Sequence, residues 1–266
     1  MRFDDRTRIL LGDAGADLLA ASRVCVFGLG GVGATAAMDL VRAGVGSLVV
    51  VDFDTVNESN LNRLYFGYRD GIGKSKVDVF TEYARRVNPR IRIDATGAIL
   101  RGATVAAGLP EGCGYYLDCI DTLNPKTNLM AALARAGLPF ASSMGTAGRM
   151  APERLRVGSL WETHDCPLSS LVRKRLRRFG FGPVPGELRT KRKTADETVS
   201  MPAEFLCVWS DEPPVAPAMP ADGSIPGDTV DGERVRAVQG SGPFVPQAAG
   251  HIMASLAVRS LVHRLG

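Results

Sequence analysis

Apolar and polar positions near the amino terminus follow a strand pattern, then a helix pattern, then a strand pattern again. Residues 24–27 are a short apolar run, and a glycine-rich turn separates them from an Ala-rich stretch that ends at Ala43. Gly44 stands where a helix C-terminus favours glycine, and residues 47–52 form a second apolar run that ends in an aspartate. The chain is therefore predicted to begin with a βαβ unit.

The same alternation continues through the first half of the chain. Apolar runs predict further strands at residues 90–95, 115–120 and 138–141. Helical periodicity separates these runs, at residues 74–87, 101–108 and 124–136. Strands that alternate with helices in this way favour an α/β fold with a doubly wound, mostly parallel sheet.

The pattern changes after Gly145. Strands are predicted at residues 154–160 and 204–209, a basic amphipathic helix at 167–179 and a closing helix at 246–265. Two further stretches are rich in proline, glycine and charge, and we expect loops there, at residues 181–203 and 211–231.

The composition is that of an ordinary globular protein, with 45% hydrophobic residues, 23% charged residues and a mean hydropathy of +0.03. No apolar stretch approaches the ~18–20 residues that cross a bilayer, and no apolar run follows the charged start. We therefore expect a cytoplasmic protein without a transmembrane segment. The 266 residues are predicted to form one domain, with a core at 1–145 and a smaller α+β extension at 146–266 that includes the closing helix.

Cysteine usage argues against disulfide and zinc frameworks. The cysteines are odd in number and none belongs to a C-x-x-C pair; they are Cys25, Cys113, Cys119, Cys166 and Cys207. We therefore expect no zinc. Cys166 follows His164 closely, which leaves a thioester role open, but a structural role is the simpler interpretation because Pro167 comes directly after it.

Positive charge is concentrated in one stretch of the second half. Residues 173–193 contain nine lysines and arginines and one glutamate, a net charge of +8, so the rest of the chain carries −4 of the overall +4. A local field of this size can attract a polyanion such as RNA. The alternative is a solvated charged loop with no ligand.

The glycine-rich turn matches G-x-G-x-x-G at Gly28, Gly30 and Gly33, and Asp52 lies 19 residues after the last of these. Glycines let the backbone approach a phosphate, the next helix offers unpaired N–H groups, and a carboxylate can accept from ribose hydroxyls. The motif predicts an adenine nucleotide. Taken alone it favours NAD or FAD, and glycines that only permit tight helix-on-strand packing are the remaining alternative.

The residues that follow Asp52 favour ATP over a redox cofactor. A dense polar stretch at residues 52–63 ends in Arg63, Lys76 lies in a G-K-S-K run that opens the next helix, and Asp121 follows another predicted strand. An enzyme that breaks a triphosphate needs cationic side chains and a metal ligand to neutralise separating phosphates, whereas hydride transfer does not.

These motifs resemble a known superfamily. G-x-G-G-x-G, D-x-D-x-V-x-x-S-N-L-N-R, G-K-x-K and D-x-x-D occur in this order over residues 6–145, as in the adenylating enzymes that include ubiquitin-activating enzymes and bacterial relatives in thiamine and molybdopterin synthesis. The resemblance implies a Rossmann-like fold of the E1 adenylation type, with the nucleotide-binding core at residues 1–145. It also implies ATP and Mg²⁺ as cofactors.

The resemblance assigns roles to individual residues. It implies that Asp52 holds the ribose, that Asn60, Arg63 and Lys76 contact the phosphates, and that Asp121 holds Mg²⁺. An arginine near the amino terminus is implied to reach into a partner subunit's site, so a homodimer is expected. That arginine is best matched by Arg8, with Arg6 as the competing choice. The complete predicted nucleotide set is Gly28, Gly30, Gly31, Gly33, Asp52, Asp54 and Lys76.

The second half resembles one branch of that superfamily. Residues 142–148, the run Arg154-Leu155-Arg156-Val157, residues 165–168 and the closing motif at 240–246 with Ala249-Gly250 are similar to the tRNA threonylcarbamoyladenosine dehydratases. That family uses ATP to activate the carboxylate of threonylcarbamoyladenosine at tRNA position 37, which then closes into a ring. The resemblance implies tRNA as partner, and the candidate tRNA contacts are Arg173, Lys174, Arg175, Arg177, Arg178, Lys191, Arg192 and Lys193.

Other functions stay open at this point. The chain departs from the superfamily at Leu64, where a glutamine is usual, and at the long basic loop 181–203. One alternative is an adenylyltransferase that activates the C-terminal carboxylate of a ubiquitin-like sulfur-carrier protein. A sulfur-transfer protein is a further candidate partner. A third is an NAD-dependent dehydrogenase or a non-catalytic nucleotide-binding module.

Overall fold

A seven-stranded sheet with helices on both faces forms the centre of the molecule. The structure is a computed structural model that describes residues 3–97, 104–183, 201–219, 229–230, 233–234 and 239–263. The helices are α1 Asp5–Ala21, α2 Gly31–Ala43, α3 Lys76–Val87, α4 Thr104–Ala107, α5 Leu123–Arg135, α6 Pro167–Arg178 and α7 Phe244–Val262. The strands are β1 Arg23–Phe27, β2 Ser47–Val51, β3 Arg92–Thr96, β4 Tyr115–Asp118, β5 Phe140–Ser143, β6 Leu155–Ser159, β7 Phe181–Gly182, β8 Met201–Pro202, β9 Leu206–Ser210, β10 Thr229–Val230 and β11 Glu233–Arg234.

The strand order in the main sheet is β3-β2-β1-β4-β5-β9-β6. Neighbouring strands are parallel except for β9 and β6, which are antiparallel. The predicted doubly wound, mostly parallel α/β sheet is therefore confirmed. The chain reverses its direction of winding between β1 and β4, and ligands of open α/β sheets bind at such a switch point.

Alternate residues of the central strands face opposite layers of the core. On one face of the sheet, Val24 and Val26 of β1 pack in the main apolar cluster with α2 and α7. On the other face, Cys25 and Phe27 pack with Leu129 and other residues of α5. Because both faces are covered, β2 is buried along its whole length, and after Ser47 its sequence is continuously apolar rather than alternating.

Helix α1 is the main element that the sequence patterns did not predict. Its helical run is interrupted at Gly12, whose φ of 72° lies in the left-handed region. Only Gly15, Ala16 and Leu19 are buried, so the apolar stripe is too narrow to give a clear helical period. In the two stretches predicted as loops, 181–203 and 211–231, the described residues include three two-residue strands, β7, β8 and β10. Residues 184–200, 220–228 and 231 of these stretches lie outside the described residues.

The closing helix α7 packs directly on α2 through Gly250. A Cβ atom at this position would lie 2.5 Å from the carbonyl oxygen of Val32 and 2.6 Å from Cβ of Thr35. Because Val32 O is a backbone atom of α2, a side chain at position 250 could be accommodated only if the two helices moved apart. Helix α7 thus packs closely against the start of α2.

Replacing Gly250 by alanine is expected to lower the free energy of unfolding by about 1–3 kcal/mol, the usual effect of overpacking in a core. Gly240→Ala is the matched control, because no atom of the described residues lies within 4 Å of a Cβ atom at that position. Urea unfolding of both variants checks this. Equal midpoints for the two variants would show that α2 and α7 are not in close contact.

The second half of the chain adds a smaller aromatic core beside α5. The ring of Phe205 meets Phe140, Trp161 and Phe181 edge-on, at centroid distances of 5.4–6.0 Å. Val172 and Leu176 of α6 are buried in the same cluster. The described part of the chain contains no helix long and apolar enough to cross a membrane.

Candidate functional site

The glycine turn lies at the switch point between β1 and β4. Gly28 has a φ of 87°, and a Cβ atom there would lie 3.1 Å from the carbonyl oxygen of Cys119, the residue after β4. A Cβ atom at Gly33 would overlap the carbonyl oxygen of Gly28 at 1.7 Å, so the turn can only fold against α2 with glycine there. Among the described residues, no atom lies within 4 Å of where a Cβ atom of Gly30 would stand. The first turn of α2, whose backbone N–H groups have no partner within the helix, begins beside this open space.

Asp52 is fixed against this turn. One carboxylate oxygen accepts from the backbone N–H of Leu29 at 2.5 Å, and the other accepts from that of Asp54 at 2.8 Å. Burial raises the pKa of Asp52, and the neighbouring charge of Lys76 opposes that rise. The carboxylate therefore stays where β2 ends, with one edge toward the glycine turn.

Lys76 opens α3 beside the two aspartates. Its ammonium group is 2.8 Å from Asp54 Oδ2 and 3.9 Å from Asp52 Oδ1. Lys76 is buried, whereas the side chain of Asp54 is half exposed. A buried cation is suited to a ligand phosphate, because its charge is poorly screened by water.

The loop that carries Asn60 and Arg63 closes the other side of the turn. The Cγ and Cδ atoms of Arg63 lie 3.3 and 3.4 Å from where a Cβ atom of Gly31 would stand, so the arginine crosses the start of α2. Its guanidinium donates to the carbonyl of Ser59 at 2.9 Å and to the side chain of Asn62 at 3.1 Å. Asn60 accepts from the backbone N–H of Asn57, and Leu64 is buried in the main core.

The closing motif is attached to this loop. The amide of Asn62 donates to the carbonyl of Ser241 at 2.7 Å, and that of Gln247 donates to the carbonyl of Arg63 at 3.4 Å. Pro246 lies against Gly31. The sequence patterns place these residues far apart, and only the packing of α7 on α2 brings them together.

The end of β4 carries two aspartates with different surroundings. Asp118 is fully buried, and its carboxylate binds the ammonium group of Lys126 and the hydroxyl of Ser142, both at 2.6 Å. Asp121 is exposed, and one of its oxygens accepts from the hydroxyl of Thr122 at 3.2 Å. Sequence reasoning did not single out Lys126. The sequence did contain a signal for this ion pair: Lys126 interrupts the apolar face of a predicted helix, and that helix follows an aspartate at the end of a strand.

The two candidate N-terminal arginines differ in their contacts. The guanidinium of Arg8 is bound by carboxylates of its own helix region, at 2.6 Å from Asp17 and 3.0 Å from Asp13. It also lies 3.4 Å from Asp4. Arg6 is exposed. Within the described chain, the competing choice Arg6 is thus the more accessible of the two cations.

The basic helix α6 divides into an inner and an outer set. Arg173 donates to the carbonyl of Thr163 at 2.6 Å, and Arg175 donates to the side chain of Asn124, so both hold the fold together. Burial lowers the pKa of Arg173. Three basic residues of this helix are exposed, namely Lys174, Arg177 and Arg178. The remaining candidate tRNA contacts, Lys191, Arg192 and Lys193, lie outside the described residues.

A buried arginine joins α6 to the segment after β5. Arg149 donates to the carbonyls of Gly145 at 2.5 Å, Asp165 at 2.8 Å and Glu212 at 2.9 Å. Cys166 is buried, and its sulfur lies 3.6 Å from where a Cβ atom of Gly145 would stand. The thiol is enclosed by the fold, in keeping with the structural interpretation.

Comparison with known proteins identifies the architecture. Residues 5–154, which are more than half of the chain, match the ThiF family model. The chain belongs to the ThiF family. The resemblance of residues 6–145 to adenylating enzymes is therefore confirmed.

A sequence relative and a solved structure are both described as tRNA threonylcarbamoyladenosine dehydratases of E. coli. The tRNA threonylcarbamoyladenosine dehydratase of Escherichia coli K12 is 34% identical over 183 residues, which are 69% of this chain and 68% of the relative. A crystal structure of the E. coli tRNA N6-threonylcarbamoyladenosine dehydratase in complex with AMP superposes with a TM-score of 0.80 at 28% identity. It covers 98% of this chain and 94% of that one. The same enzyme has also been solved with ATP.

A second kind of ThiF relative matches only half of the chain. The molybdopterin-synthase adenylyltransferase of E. coli K12 is 39% identical over 136 residues, which are 51% of this chain and 53% of the relative. These relatives confirm the prediction of an ATP-dependent adenylating enzyme over that of an NAD-dependent dehydrogenase. Among the described residues, no three His, Cys, Asp or Glu side chains are grouped so that they could hold a metal ion.

Proposed function

We propose that this ThiF protein is an ATP-dependent dehydratase that adenylates the carboxylate of threonylcarbamoyladenosine at tRNA position 37 and cyclises it. The observation that carries this proposal is the likeness to the E. coli dehydratase over 98% of the chain, which includes the second half. The half that adenylating enzymes of several kinds share does not distinguish between substrates. The second half is therefore proposed to face the tRNA and to decide the substrate.

ATP is proposed to bind in front of the glycine turn. The phosphates would lie at the start of α2, with Arg63 on one side and Lys76 on the other, and Asp52 would accept from the ribose. Asn60 would add an amide next to Arg63. Arg63 would flank the phosphates from the connection between β2 and α3, and Lys76 from the start of α3, so charge could be neutralised on both sides of the α-phosphorus as it reacts.

The proposed reaction has two steps. A carboxylate oxygen of the substrate attacks the α-phosphorus of ATP, forming an acyl-adenylate as the bond to the pyrophosphate oxygen breaks. An atom of the carbamoyl group then attacks the activated carbonyl carbon, closes the ring and expels AMP, while one proton is released. Adenylation is needed because AMP is a far better leaving group than hydroxide, and tethering of the nucleophile accelerates the closure.

Asp121 is the residue suited to hold Mg²⁺. It is exposed and, among the described residues, only one of its oxygens is engaged, by Thr122, whereas Asp118 is committed to Lys126. Carboxylate oxygens are the ligands that Mg²⁺ prefers, and the ion keeps several waters and phosphate oxygens in such sites. When bound, it would supply positive charge to the pyrophosphate that leaves.

A homodimer is proposed in which an N-terminal arginine reaches the partner's phosphates. The exposed Arg6 is better placed for this than Arg8, since Arg8 is bound by carboxylates of its own chain.

The exposed cations of α6, Lys174, Arg177 and Arg178, are proposed to contact the tRNA backbone, largely without reading sequence.

Gly30→Ala is expected to weaken ATP binding about tenfold while leaving stability unchanged, because its methyl group would enter the space proposed for phosphate and meet nothing else. Titration with ATP and thermal unfolding without ligand measure the two effects. Gly240→Ala serves as the control, since its methyl group also enters open space. ATP affinity equal to that of the unaltered protein in Gly30→Ala would contradict this placement of the phosphates.

One other function has a specific observation in its favour. The 39% identity to a molybdopterin-synthase adenylyltransferase over 136 residues fits an enzyme that activates the C-terminal carboxylate of a sulfur-carrier protein. That likeness covers only about half of the chain, so the adenylyltransferase function is the weaker candidate.

One experiment separates the two candidates. The purified protein is incubated with ATP and Mg²⁺ and either tRNA bearing threonylcarbamoyladenosine or a small protein ending in Gly-Gly. The dehydratase proposal expects the digested nucleoside to lose the mass of one water molecule. An adenylated small protein together with an unchanged nucleoside would instead establish the second candidate.

A further inference from the structure

The last turn of α5 carries an arginine that stands outside the basic run of the sequence. Arg135 is exposed, and its guanidinium carbon lies 5.3 Å from the centre of the Phe181 ring and 5.9 Å from that of Phe179. The guanidinium also donates to the carbonyl of Phe179 at 3.4 Å. Because Phe179 directly follows α6, this arginine joins the end of α5 to the end of α6.

Arg177 of α6 is held in the same way. It is exposed, and its guanidinium carbon lies 5.4 Å from the centre of the Trp161 ring. The rings of Trp161 and Phe181 both meet Phe205 edge-on, so Arg135 and Arg177 rest on one aromatic core. The carbonyl that accepts from Arg135 belongs to the second residue after Arg177. The two arginines therefore lie at the same corner of the molecule.

The positive charge at this corner has no ion-pair partner in the part of the chain that the structure describes. No carboxylate of the described residues pairs with Arg135 or with the exposed cations of α6. Other exposed arginines do have such partners, as Arg86 has in Glu82 and Arg154 has in Asp211. The corner thus offers cations to an anionic ligand without first breaking an ion pair.

The aromatic rings restrict the two guanidinium groups before any ligand binds. The distances to the ring centres are those of cation–π contacts. A guanidinium presents its N–H donors in a planar fork that matches phosphate oxygens, and a fixed fork loses little freedom when it binds. A lysine on a flexible stem would not be held in this way. The corner is therefore suited to phosphates that recur along a chain.

We propose that Arg135, together with the exposed cations of α6, contacts the sugar-phosphate backbone of the tRNA. The inference rests on the proposed function, which supplies the tRNA. It extends the candidate surface from α6 to the end of α5. A count of charges along the sequence does not reveal Arg135, since no other charged residue lies within six positions of it.

The first test measures the binding of unmodified tRNA to Arg135→Gln at several salt concentrations. Each phosphate contact changes the logarithm of the binding constant by about 0.9 for a tenfold change in salt. Loss of one contact is therefore expected to weaken binding about eightfold at about 0.1 M salt and hardly at all at about 1 M salt.

Arg85→Gln is the matched control. Arg85 is also an exposed arginine in the last turn of its helix, and the substitution changes the net charge equally. It is expected to leave both the affinity for tRNA and the salt dependence unchanged, because Arg85 lies on α3 and not at the corner of α5 and α6.

A second test compares two substrates of the proposed reaction, modified tRNA and the isolated threonylcarbamoyladenosine nucleoside. The nucleoside has no phosphate backbone. Arg135→Gln is therefore expected to raise KM for the tRNA at about 0.1 M salt and to leave KM for the nucleoside unchanged. An unchanged KM for the nucleoside also shows that the variant is folded.

Several results would overturn the inference. Unchanged tRNA affinity in Arg135→Gln, or no tRNA binding by the unaltered protein, would exclude the contact. An equal loss in Arg85→Gln would make it an effect of net charge. A loss that persists at about 1 M salt, or a raised KM for the nucleoside, would mean that Arg135 acts through packing on its aromatic neighbours. If the unaltered protein dehydrates neither substrate, the proposed function fails, and the binding of unmodified tRNA still decides the inference.

Discussion

Replacement of Arg63 by alanine is expected to slow the formation of AMP from ATP by about 10²–10³-fold in kcat, with a smaller effect on ATP binding. The reason is that charge on the phosphates is redistributed as the bond to pyrophosphate breaks, and a fixed cation stabilises that state more than the ground state. Arg63 is already fixed, because its stem crosses Gly31 and its guanidinium is bound by Ser59 and Asn62. Little reorganisation is needed during the reaction.

Arg69→Ala is the matched control for this prediction. Arg69 lies in the same connection between β2 and α3, and its guanidinium is exposed and paired with Glu58 at 3.0 Å. It is expected to leave kcat within about twofold, since exposed ion pairs contribute little. Rates are measured as AMP released in the presence of modified tRNA. An equal loss in both variants would mean that Arg63 acts through general loop stability and not on the phosphates.

Lys126→Met is expected to lower the free energy of unfolding by about 3–5 kcal/mol, which is the usual effect of removing one partner of a buried ion pair. Lys126 and Asp118 are both fully buried, 2.6 Å apart, and Ser142 completes the network by bonding to each of them. Methionine keeps most of the side-chain volume, so the loss would come from the uncompensated carboxylate rather than from a cavity.

Two further variants make this prediction specific. Lys74→Met makes the same substitution at an exposed lysine, two residues before α3, and is expected to change the free energy of unfolding by less than about 0.5 kcal/mol. Adding Asp118→Leu to Lys126→Met is expected to recover much of the lost stability, because no buried charge then remains unpaired. Denaturant unfolding at neutral pH measures all of them. A double variant as unstable as Lys126→Met alone would contradict the electrostatic explanation.

Much of the fold follows from local patterns because apolar strands and capped helices are strong signals. The unit from β1 to β2 was predictable from an apolar run, the glycine turn and Gly44, which ends α2 in the left-handed conformation. α1 could not be predicted in this way. Gly12 interrupts it and its buried stripe is narrow, so its stability depends on contact with α7 and not on its own sequence.

The candidate site was predictable where its residues follow strand ends. Parallel strands bring their carboxyl ends to one edge, so the glycine turn, Asp52 and Asp121 were expected together. The contacts of Asn62 with Ser241 and of Lys126 with Asp118 depend on tertiary packing. No periodicity in the sequence reports which distant loop a side chain will meet, or which of two aspartates will be buried.

The basic segment illustrates the same limit in another way. A count of charges treats the arginines of α6 as equivalent, but Arg173 and Arg175 are engaged within the fold while Lys174 and Arg178 face solvent. Which arginines are available to a polyanion is decided by helix phase against the aromatic core, where Val172 and Leu176 face inward.

The central claim is that the pocket splits ATP in order to activate a carboxylate on tRNA. The most direct measurement counts AMP and cyclised nucleoside in one reaction with modified tRNA, beside a reaction with tRNA that lacks the modification. We predict one AMP for each nucleoside that loses water, and AMP at background level with unmodified tRNA. AMP released at the same rate from both tRNAs, or a nucleoside left unchanged while AMP accumulates, would contradict it.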